Sequence, residues 1–412
     1  MTRSRTGILV ALAAAVVAAA AVLGAQLISL GSAPAAYAAA AFERTGPVVG
    51  PDENPLYAIR AVLQGQSEAM VKGDRDGYLA AFPVAAPELR DRAGRRFDSL
   101  TALGVRRWDL TTNGVPGLLN GVWRLPVSVG YCFDTPDCTP LPLLLDTEWT
   151  VAHGRVRLAG WEQTDRPWDT TRLTVRRGER VTVAGAESVD PDALGALLRA
   201  AEAAAPTDDR VARSFGGPPR RYHVFVAGDE EWTTWYDGET ENAAAYAIPL
   251  QPGTADVVVD HRQILSDAWN TQLLTHEFTH VVTLDGNRPA PGSWWLVEGI
   301  AEYVANADGA ALRKDLRAVQ AYVKAGRWDG TVALGAPADG TSLDDTVARY
   351  GIALLVVTYL AQHFGEAKLF AFFTQVVRKG VSPDAAAGAA LGADWAAVVR
   401  DAAASVRVAA AQ

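Results

Sequence analysis

His276 and His280 stand four residues apart in Leu273-Leu274-Thr275-His276-Glu277-Phe278-Thr279-His280-Val281-Val282. The apolar residues of this stretch recur at helical spacing, which predicts a helix carrying both imidazoles on one face, one turn apart. Two imidazoles so placed can reach one Zn²⁺ at about 2.0–2.1 Å, with Glu277 beside the position left for water. Past a loop containing Gly286, Pro289, Pro291 and Gly292 comes Ser293-Trp294-Trp295-Leu296-Val297-Glu298-Gly299-Ile300-Ala301-Glu302-Tyr303. Residues 281–297 separate Glu298 from His280, enough chain for a second helix to fold back across the first and present a carboxylate as third ligand. Two His and one Glu leave a fourth position open, the composition of a catalytic rather than a structural site. Glu302, one turn beyond Glu298, is placed to accept the distal N–H of a ligand imidazole and hold its tautomer.

Composition narrows the metal chemistry to this stretch. The chain has 412 residues, with 38 Lys+Arg against 47 Asp+Glu, a formal net charge of −9, 6 His and 2 Cys. Two Cys cannot build a Cys₄ zinc site within one chain, so a metal is expected on His and carboxylates. The acidic balance disfavours nucleic acid as a partner, because phosphate binding needs a basic surface. With 49% hydrophobic and 21% charged residues, the chain has the means to bury a sizeable core. His153, His223, His261 and His363 fall at turns or on mixed helix faces and read as surface or satisfied core residues.

The elements that position these groups divide the chain. Residues 1–40 are an export segment: Arg3 and Arg5 precede an uncharged Ala/Val/Leu-rich run from Gly7 to about Leu30, and Ala36-Tyr37-Ala38 has the small-x-small pattern of a signal peptidase site. The run could also span a ~30 Å hydrocarbon core, so cleaved signal peptide and uncleaved membrane anchor stand as equal alternatives. Either places the rest of the chain outside the cytoplasm, secreted or held at the membrane. In that oxidising setting Cys132 and Cys138, flanking a Pro/Asp turn, are expected to form a disulfide-stapled hairpin.

After a linker at 41–53, residues 54–170 read as three helices (Ala58 to Ala69, Tyr78 to Phe82, Pro87 to Leu103) followed by four strands, an α+β layer pattern. Two short β runs at 171–190 are read as a boundary. From 191 to 405 there are a helix ending near Ala204, strands at Tyr222 to Ala227, Ala243 to Leu250 and Ala255 to Asp260, and then helices almost throughout, with 406–412 as a tail. The fold class expected is α+β: a cone-like α+β domain, then a mainly helical domain with a small N-terminal β-sheet.

By pattern, the first domain resembles the nuclear-transport-factor-2-like and SnoaL-like superfamily, whose members serve as enzymes, ligand pockets or docking modules. It carries no convergent His/Asp pair and is expected to be an accessory or dimerisation module of unknown partner. The H-E-x-x-H stretch and Trp295-Leu296-Val297-Glu298-Gly299-Ile300-Ala301 resemble the gluzincin peptidases, the group of thermolysin and the aminopeptidase N family, and in particular compact bacterial peptidase MA-like domains. The resemblance covers roughly 180–405 and is specific between 276 and 302. It implies one Zn²⁺ per chain on His276, His280 and Glu298, Glu277 as general base, and a peptide or protein substrate. It also implies Tyr350, ahead of the apolar run ending in Tyr359-Leu360, as donor to the oxyanion, and an edge strand at Ala244 and Tyr246 that pairs with substrate backbone. The His280-to-Glu298 interval is one residue shorter than usual in the aminopeptidase family, and that family's Gly-x-Met-x-Asn motif for a free amino terminus is missing. The alternatives left open are an inert peptidase-like binding or scaffold protein at the cell surface, and a non-peptide zinc hydrolase.

Overall fold

A computed structural model describes residues 49–50, 53–238, 243–306, 309–338 and 340–412. The export segment read at residues 1–40 lies outside these. The chain is α+β and divides into two compact units, one ending at Leu173 and one running from Thr174 to Gln412.

The first unit opens with helices α1 (Leu56–Lys72), α2 (Arg75–Leu79) and α3 (Pro87–Ala102). Helix α2 starts three residues before the Tyr78 to Phe82 helix expected from sequence, because the Asp74 carboxylate accepts from Gly77 N at 2.9 Å and caps it there. Strands β1 (Val105–Thr112), β2 (Gly117–Leu119), β3 (Val122–Phe133), β4 (Leu141–Ala152) and β5 (Arg155–Trp161) form an antiparallel sheet in the order β1-β3-β4-β5, with β2 on β3. The short helix α4 (Pro167–Thr170) closes the unit. Cys132, at the end of β3, is disulfide-bonded to Cys138 across the turn into β4.

Alternation along β3 and β4 turns Leu125, Val127, Val129, Tyr131, Leu145, Thr147 and Trp149 inward against Tyr78, Phe82 and Phe97. Arg96 and Asp169 form a buried ion pair at 2.6 Å, and Trp161 Nε1 and Thr164 N also donate to the Asp169 carboxylate. Between Gln66, Arg96, Trp108, Thr147 and Trp161 a cavity of about 20 Å³ remains, room for about one water.

The second unit begins inside the segment read as a boundary, at Thr174. Strands β6 (Thr174–Arg177) and β7 (Val181–Gly185) belong to its sheet. Helix α5 (Pro191–Ala212) passes through Pro206 to Ala212, eight residues beyond the expected end, and buries Leu194, Leu197, Ala201, Ala204, Ala205, Asp208 and Val211 along one face. Then follow β8 (Tyr222–Ala227), α6 (Asp229–Thr234), β9 (Ala245–Gln251) and β10 (Thr254–Asp260). The sheet order is β6-β7-β8-β10-β9, with β7, β8 and β10 parallel and both outer strands antiparallel to their neighbours.

Helices α7 (Asp267–Leu284), α8 (Trp294–Ala305), α9 (Ala310–Lys324), α10 (Leu343–Phe364), α11 (Glu366–Phe373), α12 (Pro383–Ala386) and α13 (Trp395–Ala411) complete the chain. The last one takes in most of the segment read as a tail. Among the described residues, α10 alone is long and apolar enough to cross a membrane, and most of it is buried in this unit. It is a core helix packed against α8 and α9.

Candidate metal centre

Helix α7 is buried on all sides from Leu273 to Leu284, as expected of a helix without a polar face. Its ends are fixed: the Ser266 hydroxyl accepts from Trp269 N, and the Arg378 guanidinium donates to the carbonyls of Val282 and Thr283. The chain leaves α7 through Asp285 and Gly286, both at positive φ. A Cβ on Gly286 would lie 1.8 Å from the Gln251 carbonyl oxygen, so glycine is required where this turn docks on β9. Asp285 ends the helix in the left-handed conformation.

Two side-chain nitrogens and one carboxylate oxygen meet between α7 and α8. His276 Nε2 and His280 Nε2 are 3.1 Å apart, and Glu298 Oε2 lies 3.3 Å from the first and 3.4 Å from the second. Ligand atoms around a tetrahedral ion with bonds of about 2.0–2.1 Å are separated by roughly 3.3 Å, so this triangle has the dimensions of three corners of a zinc site. Its chemistry agrees. Two imidazole nitrogens facing each other at this distance need a proton or a cation between them. Both Glu298 oxygens are enclosed without a hydrogen-bond partner. Among the described residues this is the one group of three His, Cys, Asp or Glu side chains close enough to hold a metal ion.

The surroundings set the charges. His276 Nδ1 lies 3.2 Å from Glu302 Oε1, which aims Nε2 at the triangle. Burial disfavours the His276 imidazolium, yet the Glu298 and Glu302 carboxylates outweigh it and raise the group well above its ordinary value. Burial alone would raise Glu298, but His280 and His276 hold it below the usual carboxylate range. Glu277 is pushed up, chiefly by burial, and neither of its oxygens has a hydrogen-bond partner. His276, Glu277 and Glu298 are fully enclosed and His280 is 3% exposed.

Tyr350 comes from α10, and a glycine brings it near. A Cβ on Gly299 would sit 2.7 Å from the Ala353 carbonyl oxygen, so Gly299 lets α8 and α10 touch backbone to backbone beside Glu298. Burial and the nearby carboxylates of Glu298, Glu302 and Glu277 raise the Tyr350 phenol well above 10.

The other residues singled out in sequence lie elsewhere. Strand β9 is a sheet edge, but Ala244 stands just before it. The Tyr246 ring packs on Trp232 with centroids 5.1 Å apart, on the sheet face opposite α7. The face follows from register: Tyr246 and Phe225 both pair with Val258, and Phe225 meets Trp235, whereas Tyr222, three residues earlier, stacks on Phe278 of α7. Trp295 is a core residue against Phe372 and Trp395. His261 sits 3.2 Å from Asp229 at the surface, and His363 stacks on Tyr359.

One buried acid was missed. Asp208 on α5 is fully enclosed, with Oδ1 2.8 Å from Thr279 Oγ1 between the two histidines. That hydroxyl also lies 2.8 Å from Thr275 O. A threonine has one proton to give, so its hydroxyl donates either to the Asp208 carboxyl or to Thr275 O. Burial raises the Asp208 carboxyl well above its ordinary value, against the lowering effect of Thr279. The signal was an Asp in register with the Ala/Leu face of α5, on a helix expected from sequence to end near Ala204, short of this residue.

No family model matches this sequence, and no curated protein does. Among solved structures the chain is similar to a two-domain M1 zinc metallopeptidase variant bound to L-arginine, at 13% identity and a TM-score of 0.31. It is likewise similar to an M1 zinc metallopeptidase variant from Deinococcus radiodurans, at 13% identity and a TM-score of 0.28. Both are zinc metallopeptidases. Each match covers 74% of this chain and 61% of the other. Superpositions this loose carry no weight for the activity of this chain.

Proposed function

We propose that the protein is a zinc-dependent peptidase of the gluzincin type acting outside the cytoplasm, with His276, His280 and Glu298 holding one Zn²⁺. The observation that carries this reading is the near-equilateral triangle of their ligand atoms, with edges of 3.1, 3.3 and 3.4 Å, next to the enclosed carboxylate of Glu277. Zinc, when bound there, supplies Lewis acidity toward water and a carbonyl oxygen. Glu277 takes the proton of the attacking water and returns it to the leaving amine, a task suited to a carboxyl raised by burial. Tyr350 donates to the oxygen on which negative charge develops. Glu302 fixes the His276 ring, and the edge of β9 offers backbone groups to an extended peptide. An exported location accords with the N-terminal sequence and with the Cys132–Cys138 disulfide.

The test is metal content and peptide hydrolysis in wild type and Glu277→Gln. One zinc per chain in both, with turnover lower by about 10²–10⁴-fold in the variant, is the expected result. A wild type that binds no zinc overturns the proposal. The enclosure of the site favours one second reading, an inert peptidase-like binding protein. That protein would hold zinc, hydrolyse nothing in a peptide library, and capture its partner equally well as Glu277→Gln.

A further inference from the structure

One end of the first unit's sheet is apolar without being covered. Strands β2 and β3 form a hairpin closed by Asn120 and Gly121, both at positive φ, as a two-residue turn of this kind requires. In its register Leu118 pairs with Trp123 and Leu119 with Val122, so the two leucines take opposite faces. Both are nonetheless exposed, by 57% and 51%, and Val115 just before them by 68%. Neither face of the tip seals a core. From Leu110 to Trp123 the chain carries no charged residue, and Arg124 follows. Exposed edge strands such as β2 are ordinarily guarded by charged side chains. Tyr57 belongs to the same end: it is 73% exposed in the first turn of α1, whose Arg60 donates to Thr112 Oγ1 at 3.0 Å where β1 finishes.

The chain also enters the unit at this end. Pairing of Trp123 with Trp149 sets the hairpin tip beside the His153-Gly154 turn that joins β4 to β5, and Gly154 O accepts from Val49 N at 2.9 Å. Residues 31–48 lead from the apolar run at 7–30 to this point, a reach of no more than about 65 Å at full extension. The Cys132–Cys138 turn lies at the opposite end of the sheet.

We propose that this end of the first unit rests on a lipid surface: Val115, Leu118 and Leu119 enter the headgroup boundary, with Tyr57 at its polar edge, as a second membrane contact beside the N-terminal segment. The inference rests on the reading of that segment as an anchor and is independent of the zinc site. A lipid surface suits a tip that is apolar on both faces, because lipid surrounds what enters it, whereas a folded partner covers one face. Entry to headgroup depth also leaves the outer backbone groups of β2 in contact with water, as an unpaired strand edge requires.

The experiment incorporates the full chain into vesicles of phosphatidylcholine and phosphatidylglycerol. A fluorophore is attached to the new thiol of Leu118→Cys or, as a control at the far end of the sheet, of Arg106→Cys; Cys132 and Cys138 are bonded to each other and do not react. Flotation with the vesicles and quenching by a lipid bearing a nitroxide at headgroup depth are measured. The chain is expected to float, with quenching several-fold stronger at Leu118→Cys than at Arg106→Cys. Adding Val115→Ser and Leu119→Ser should abolish most of that difference, since losing two exposed apolar side chains weakens partitioning by roughly 10-fold or more. Both side chains lie outside the core, so the circular dichroism and thermal midpoint of the variant should match the parent. Equal quenching at both positions on a chain that floats overturns the inference and leaves the anchor reading standing. A probe at Leu118→Cys that is insensitive to the nitroxide, with thiol cross-links between copies, shows that a second copy covers the hairpin and also overturns it. A chain that does not float overturns both, while zinc binding and hydrolysis stand or fall by their own test.

Discussion

Glu302 gives the sharpest quantitative test of the metal centre. Its Oε1 lies 3.2 Å from His276 Nδ1, and both side chains are enclosed, so solvent cannot replace the contact if it is removed. Glu302→Gln keeps an acceptor oxygen and removes the charge. Glu302→Leu removes both. A hydrogen bond to a charged group contributes about 1.5–3 kcal/mol and a neutral one about 0.5–1.5 kcal/mol. The Gln variant should then lose about 1–1.5 kcal/mol of zinc binding, close to 10-fold in affinity. The Leu variant should lose about 1.5–3 kcal/mol, between 10- and 100-fold, in line with other partners of ligand histidines. Competition against a chromophoric chelator near pH 7.5 measures both. The ordering wild type, Gln, Leu is expected, with each protein still binding one zinc. If both variants bind within two-fold of wild type, Glu302 does not hold the His276 ring and its assignment fails.

Three further outcomes can be checked. Asp208 is protonated in the folded chain at pH values where the unfolded chain has ionised, so its stabilisation is complete below pH about 3.8 and is lost as pH rises toward its folded pKa, at about 1.4 kcal/mol per pH unit. Asp208→Asn should gain on wild type across that rise in urea unfolding, and parallel profiles would refute a neutral Asp208. Arg96→Met strands the buried Asp169 carboxylate and should cost about 3–5 kcal/mol, with much of it recovered by adding Asp169→Leu; a loss that stays undiminished in the double variant would show that packing, and not charge, is at stake. Replacing Cys132 and Cys138 by serine opens a short loop, with an expected loss of about 2 kcal/mol in unfolding free energy under oxidising conditions and none when the parent is compared after reduction.

Sequence spacing alone determined what is local. A spacing of four positions from His276 to His280, and again from Glu298 to Glu302, places each pair on one helix face wherever the helix lies, since helix geometry is set by the backbone. Strands such as Tyr222–Ala227 were legible for the same reason, as were the α+β layering and the cysteine pair across a Pro/Asp turn. Tertiary structure decided whatever depends on chain segments far apart meeting. The triangle closes because the 281–297 segment folds α8 back onto α7, a distance no spacing rule contains. Asp208 reaches Thr279 across 71 positions, through a helix that continues past the end near Ala204 expected from sequence. Trp294 finds Tyr350 because Gly299 allows two helix backbones to touch, and Tyr246 turned to the far face because register, not composition, fixes which side of a sheet a residue takes. Local periodicity fixes each residue's direction on its own element, and packing between elements fixes which of those directions converge.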